Sequence, residues 1–387
     1  METSNPSKFT TASKDLNQIV SDIQALVGLE TYSYDKASLA EGLALLRSTV
    51  TERVGTPDFE ENFDGGQYGD CLHLRFEGTS EQSILFVGHY DTVWPQGTLA
   101  KWDKATGTAQ DGREFLSGPG IFDMKTGLVQ AIWISKYLKE SGRPFPTIHL
   151  FFNGDEELGS PFSRPYIEKA AQEVDAAFVF EASHEGLIKT QRKGVGLISL
   201  EAEGIESHAG LNAEDGASAI TALMEYCLAA TQLARPEKGT TVNVGLFKGG
   251  SGSNVVAGKA SAEIDIRIST QAELERLDNA LDKISWSDSK VTVSVKKDWN
   301  RPPMEFTDAN RSLYEKAQAT AKEIGFELKS TSVGGASDAN FISALGVPAL
   351  CGIGAEGAGA HARYEYMIPQ AIPKFIELIT GTAFKIS

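Results

Sequence analysis

The sequence predicts an α/β fold, a mostly parallel sheet with helices on both faces, interrupted by a smaller inserted α+β domain. Three observations carry this prediction. Short apolar runs that stop abruptly at polar or acidic residues alternate with helix-period segments, as strands joined by crossover helices do. Between about 194 and 300 the pattern changes to period two, which belongs to strands with one wet face. The length of 387 residues suits two domains better than one.

The elements follow in chain order. Apolar residues spaced by three and four predict helices near 13–28 (Leu16, Ile19, Val20, Ile23, Leu26, Val27) and 36–53. Ile84 to Val87 runs into Gly88-His89-Tyr90-Asp91, and Ile148 to Phe152 runs into Asn153-Gly154-Asp155-Glu156-Glu157. A helix pattern fills about 124–140 between them. Ala177 to Phe180 runs into Glu181, and Val347 to Cys351 leads to a glycine-rich segment and His361. In the insertion, Ile198 and Leu200 alternate with Leu197, Ser199 and Glu201. Ala260, Ala262, Ile264, Ile266 and Ile268 alternate with Ser261, Glu263, Asp265 and Arg267, and Val291, Val293 and Val295 alternate again. With helices near 215–234 and 271–284, the order β-α-β-β-α-β is that of a ferredoxin-like unit. The expected organisation is a catalytic domain in two stretches, 1–193 and 301–387, with an inserted lid or dimerisation domain at 194–300 between them.

Composition narrows the partners. Asp and Glu number 52 against 36 Lys and Arg, a net charge of −16. Such a chain is repelled by nucleic acid and by anionic membranes. Cys71, Cys227 and Cys351 are scattered and form no C-x-x-C pair, so neither a disulfide framework nor a thiolate zinc site is expected. No run of about 18 apolar residues is present to span a membrane. Met1 to Pro6 lack a basic and then apolar leader, which makes the cytoplasm the expected location.

His89, Asp91, Glu156, Glu157 and Glu181 directly follow expected strands, and His361 follows one after a longer loop. Open α/β sheets bind ligands outside the carboxyl ends of their strands, so these side chains are expected on one rim. Asp123 opens the helix pattern after Gly118-Pro119-Gly120. An N-cap explains an aspartate there but not the adjoining glycines, which allow close backbone approach. Two imidazoles and three carboxylates suit a pair of borderline divalent ions, zinc first.

The segments Gly88-His89-Tyr90-Asp91-Thr92-Val93, Gly118-Pro119-Gly120-Ile121-Phe122-Asp123-Met124-Lys125 and Asn153-Gly154-Asp155-Glu156-Glu157-Leu158-Gly159-Ser160 resemble the signatures of the M20 family of dinuclear zinc peptidases and deacylases. Within it the chain is most similar to glutamate carboxypeptidases of the carboxypeptidase G type. The resemblance implies two Zn2+ per chain, with His89 and Glu181 on one, Glu157 and His361 on the other, and Asp123 bridging both. It implies that Asp91 orients His89 and that Glu156 is the general base. It further implies that His208, in Glu206-Ser207-His208-Ala209-Gly210, reaches the active site of a partner subunit, and that the chain is a homodimer through the inserted domain. Asn254, Arg267, Gly334 and Gly335 resemble substrate-binding positions. The implied reaction removes a C-terminal amino acid, glutamate first, from a small peptide or an N-acyl amino acid. An N-acyl amino acid deacylase or a dipeptidase would use the same metal machinery. A catalytically inactive binding protein would lack a ligand or the base, and no such position is missing here. His73, His149 and His184 match nothing in the family, and His149 is expected to be structural.

Overall fold

A computed structural model describes residues 8–386. The opening segment read above for a leader, Met1 to Pro6, lies outside the described residues. The chain divides into two compact units. Of the described residues, one comprises 8–191, Phe306–Ser332 and 337–386; the other comprises Arg192–Glu305 and Val333–Ala336. Residues 333–336, expected with the catalytic domain, pack with the inserted unit instead, because Arg192 Nη1 donates to the carbonyls of Gly335 and Ala336 at 3.0 and 3.1 Å.

The chain opens with α1 (Ala12–Gly28), α2 (Lys36–Arg53), β1 (Phe59–Phe63), β2 (Gly69–Phe76) and β3 (Ser83–His89). Then come α3 (Thr126–Glu140), β4 (Thr147–Gly154), α4 (Arg164–Ala171), β5 (Ala176–Val179) and β6 (Ile188–Arg192). The insertion holds β7 (Gly194–Glu203), α5 (Ala219–Thr231), β8 (Thr241–Gly249), β9 (Lys259–Ile268), α6 (Gln271–Leu281) and β10 (Thr292–Arg301). The chain closes with α7 (Asp308–Glu323), β11 (Ser330–Val333), α8 (Ala339–Ala344), β12 (Ala349–Cys351) and α9 (Ile372–Ala383).

The large sheet has the order β1-β2-β4-β3-β5-β12-β6-β11. Its centre, β4-β3-β5-β12, is parallel. The flanking pairs β1–β2, β2–β4 and β12–β6 are antiparallel. The central strands are covered on both faces, and Ile84, Phe86, Ile148, Leu150, Phe152 and Phe178 lie in one core with α1, α3 and α9. That burial is why they read as continuous apolar runs. From β3 the chain crosses through α3 to β4 on one side and then through α4 to β5 on the other. The strand order therefore reverses at β3, and such a switch point leaves a crevice at the strand ends. His89 ends β3 there, flanked by the ends of β4 and β5.

The second unit is a four-stranded antiparallel sheet of order β8-β9-β7-β10, as the ferredoxin-like pattern requires. One face is dry: Ile198, Leu200, Ile264, Ile266 and Ile268 pack against Leu223, Tyr226 and Leu277. Among the described residues no helix is long and apolar enough to cross a membrane. All three cysteines are buried free thiols.

Candidate active site

The site is built at the switch point. His89 is 1% exposed. Its Nδ1 lies 3.0 Å from the Asp91 carbonyl oxygen and 3.3 Å from the Asp91 carboxylate, which turns Nε2 outward. Nε2 lies 3.2 Å from Asp123 Oδ1 and 3.8 Å from Glu181 Oε1. Asp91 is fully buried and does more than orient the imidazole. Its Oδ1 accepts from the Glu156 amide, and its Oδ2 accepts from the Glu157 amide and Ser33 Oγ. One carboxylate thus fixes both the histidine and the turn carrying the two glutamates.

Asp123 does not open the helix. It is extended, at φ −118° and ψ 95°, and α3 begins three residues later with Lys125 at its cap position. Its carboxylate caps nothing and faces the site. The glycines before it serve the chain's own backbone: Gly120 has φ +72°, and a Cβ on Gly118 would meet Val27 at 2.6 Å. The turn is held from below by Glu365, a residue the sequence patterns did not single out. This carboxylate accepts from the amides of Gly120, Phe122 and Asp123 and from the Trp94 indole. Burial pushes Glu365 up to about 7. The ammonium of Lys125 is also buried and donates to the Leu29 carbonyl at 2.6 Å; burial draws it down to about 7.

The second half of the site joins Glu157 to His361. Glu157 Oε2 is 3.0 Å from His361 Nε2, which is 3.6 Å from Asp123 Oδ2. Asp123 therefore faces His89 with one oxygen and His361 with the other. The charges are strongly perturbed. Burial would pull His89 down, yet its hydrogen bonds to Asp123 and Asp91 hold it above its ordinary value. Burial would raise Asp123, but His89 holds it low. Burial pushes Glu157 up to about 7, and the hydrogen bond to Glu157 lifts His361 to about 9.

Divalent cations fit this arrangement. Ligand atoms of His89, Asp123 and Glu157 lie within 4.8 Å of one another, as do those of His89, Glu156 and Glu181. Glu157 Oε1 is buried without a hydrogen-bond partner. An orphaned carboxylate oxygen beside other carboxylates is costly unless a cation takes it. Imidazole and carboxylate are donors suited to zinc and its neighbours. Sequence expectation and geometry differ on two points: Glu156, expected as the base alone, also comes within ligand spacing of His89 and Glu181, and Glu157, expected with His361 on the ion that His89 does not hold, groups with His89 and Asp123.

The remaining expected residues lie on the second unit. His208 pairs with Val255 across a short antiparallel ladder, and the Ala209 amide donates to the Asn254 carbonyl, so these two segments are adjacent. His208 is exposed, and its Nδ1 accepts from the amides of Gly210 and Leu211. Arg267, half-buried on β9, forks onto Asp265, with Nε and Nη2 donating at 2.9 and 2.8 Å. Gly334 and Gly335 lie in the 333–336 segment that Arg192 holds. His73 and His149 sit away from the site, hydrogen-bonded to each other at 3.0 Å.

Residues 85–385 match the Peptidase family M20/M25/M40 pattern. The chain is 28% identical over 377 residues to carboxypeptidase G2 of Pseudomonas sp. (strain RS-16), covering 95% of this chain and 88% of that one. Among solved structures, aminopeptidase PepT from Bacillus cereus superposes with a TM-score of 0.75 at 22% identity, covering 96% and 98% of the two chains. The Bacillus subtilis YXEP protein, described as a dinuclear metal-binding peptidase of the M20 family, gives 0.69 at 14% identity, covering 97% and 99%. The family match spans both units and every residue of the strand-end cluster, and the chain therefore belongs to peptidase family M20/M25/M40, a family of metal-dependent peptidases and amidohydrolases.

Proposed function

We propose that the chain is a two-zinc exopeptidase that removes a C-terminal amino acid, glutamate first, from small peptides or N-acyl conjugates. One observation carries the two-ion part: Asp123 turns one oxygen to His89 and the other to His361, while Glu157 Oε1 is left unsatisfied. His89 and Glu181 would hold one ion, Glu157 and His361 the other, and Asp123 both. Bound divalent ions supply Lewis acidity and bring a water toward ionisation at neutral pH. The chain's own groups move the protons: Glu156 takes one from the attacking water and returns it to the departing amine. Asp91 keeps His89 Nδ1 engaged and holds the Glu156 backbone in place. Arg267 is the proposed receiver of the substrate carboxylate, because its planar fork already makes the bidentate contact with Asp265 that such a carboxylate would take over. Asn254 and the Gly334-Gly335 backbone complete that pocket.

The reading includes a cytoplasmic homodimer formed through the inserted unit, with His208 serving the partner's site. The edge strand β8, which pairs with β9 on one side and with no strand on the other among the described residues, supports it, because its Leu246 and Phe247 are 49% and 40% exposed. Apolar residues on an open edge favour pairing with another chain. The three buried free thiols suit a reducing compartment.

The test is a hydrolysis panel with zinc supplied: N-acyl-glutamate, N-acyl-aspartate, N-acyl-ornithine and free dipeptides. The N-acyl-glutamate should show the highest kcat/KM, a chelator should abolish turnover, and zinc should restore it. Preference for N-acyl-ornithine or free dipeptides would replace the carboxypeptidase reading with a deacylase or dipeptidase.

A further inference from the structure

We propose that Glu365 is a positioning residue that locks the Asp123 turn to the His361 loop and thereby sets the spacing of the two ion sites; this rests on the two-ion reading above. Glu365 is wholly buried. Its Oε1 accepts from the Phe122 amide at 2.9 Å and the Asp123 amide at 3.1 Å. Its Oε2 accepts from the Gly120 amide at 3.1 Å and the Trp94 indole at 2.8 Å. Its own carbonyl accepts from Ser117 Oγ.

All four side-chain partners are N–H donors. Both oxygens must therefore be acceptors, a condition that only a carboxylate meets. Three of the donors belong to the turn that presents Asp123. Glu365 lies four residues after His361, joined to it by a tight turn in which Ala362 donates to Gly359 and Glu365 to Ala362 at 2.8 and 2.9 Å. One side chain thus couples the acid assigned to both ions with the imidazole assigned to one. It reaches the site through backbone, as groups that orient metal ligands do.

Substitution separates positioning from bulk stability. Glu365→Gln keeps the shape but sets an amide NH2 against backbone N–H donors. Glu365→Asp keeps both acceptors and withdraws them by one methylene. Metal-free wild type and both variants are titrated with Co2+, read by calorimetry and visible absorption, with circular dichroism and thermal unfolding alongside. Wild type should take up two Co2+. Glu365→Gln should bind roughly tenfold to a hundredfold more weakly, with a changed cobalt spectrum, and Glu365→Asp should fall between. If both variants bind two Co2+ with wild-type affinity and spectrum, and only their melting temperatures fall, Glu365 is structural and the inference is overturned. Should Glu365→Gln not fold, Glu365→Asp decides by the same two readouts. Wild type binding a single Co2+ would instead sink the two-ion reading.

Discussion

Glu156 and Glu157 are adjacent in one short turn, and both amides are held by Asp91, yet their side chains part. Glu157 is committed to His361, while Glu156 approaches His89 and Glu181. A base must stay close to the ions without being consumed as a ligand, and Glu156→Gln distinguishes the two roles. The amide keeps the shape and loses the basic oxygen. Both zincs should remain bound while kcat falls by roughly two to four decades, the usual share of general acid–base catalysis. Loss of one zinc on elemental analysis would make Glu156 a ligand instead. Of the clustered residues, His89, Glu156, Glu157 and Glu181 were legible in the sequence because each stands where an apolar run stops, whereas Asp123 and His361 follow glycine-containing segments. Glu365 and Ser33 were not, because what defines them is a bond to a distant turn or carboxylate rather than a strand end. The clue available for Glu365 was an acid lodged between Tyr364 and Tyr366 just after His361.

The same logic separates legible from illegible elements. The parallel centre is buried on both faces and the inserted sheet on one, so each leaves a clear period in the sequence. The antiparallel flank does not: β2 reads Gly-Asp-Cys-Leu-His-Leu-Arg-Phe, and its His73 is buried while Asp70 and Arg75 are half-buried, which breaks the period. α9 is buried nearly all round and carries Pro373 in its first turn, which blurs helical periodicity. The β2–β4 register explains the one histidine pair outside the site. His73 lies opposite Phe151 and His149 opposite Arg75, so the two imidazoles are diagonal neighbours. Burial holds both down to about 4; Arg75 adds to this for both, His149 and Lys169 add to it for His73, and Glu77 opposes it for His149. The folded values lie below the unfolded value of 6.5, so between pH 6.5 and 4 the unfolded chain binds more protons. Stability should therefore fall as the pH drops through that window, by up to roughly 3 kcal/mol for each imidazole. Denaturant unfolding of metal-free protein at about pH 7 and about pH 4.5 tests this. A His73→Leu/His149→Leu variant should lose at least about 2 kcal/mol less than wild type over the interval; equal losses would exonerate the pair.

At the scale of the whole molecule, the proposed machinery is divided: the ion ligands and Glu156 lie on one unit, and His208, Asn254 and Arg267 on the other. His208 is exposed on a two-residue strand of a unit that also presents an open sheet edge, β8, on which Leu246 and Phe247 are exposed. If that edge pairs with a second copy, a two-fold dimer carries each inserted unit to a position shared with its partner. Action of His208 in trans then makes a definite prediction. His208→Ala and Glu156→Gln should each be inactive alone, one lacking the imidazole proposed to serve the partner's site and the other the proposed base. In a mixed dimer, the site that keeps Glu156 receives an intact His208 from the other chain, whereas the second site lacks both. Random exchange of equal amounts makes half the dimers mixed, each with one competent site of two, so activity should recover to about a quarter of wild type. Action in cis gives no recovery, because no single chain then has both residues. Exchange must be verified with differently tagged chains, and Phe247→Glu provides the control: by placing a charge on the open edge it should block dimerisation and abolish the recovery. Full exchange without regained activity would return His208 to its own chain's site, and domain closure within one subunit would have to deliver it.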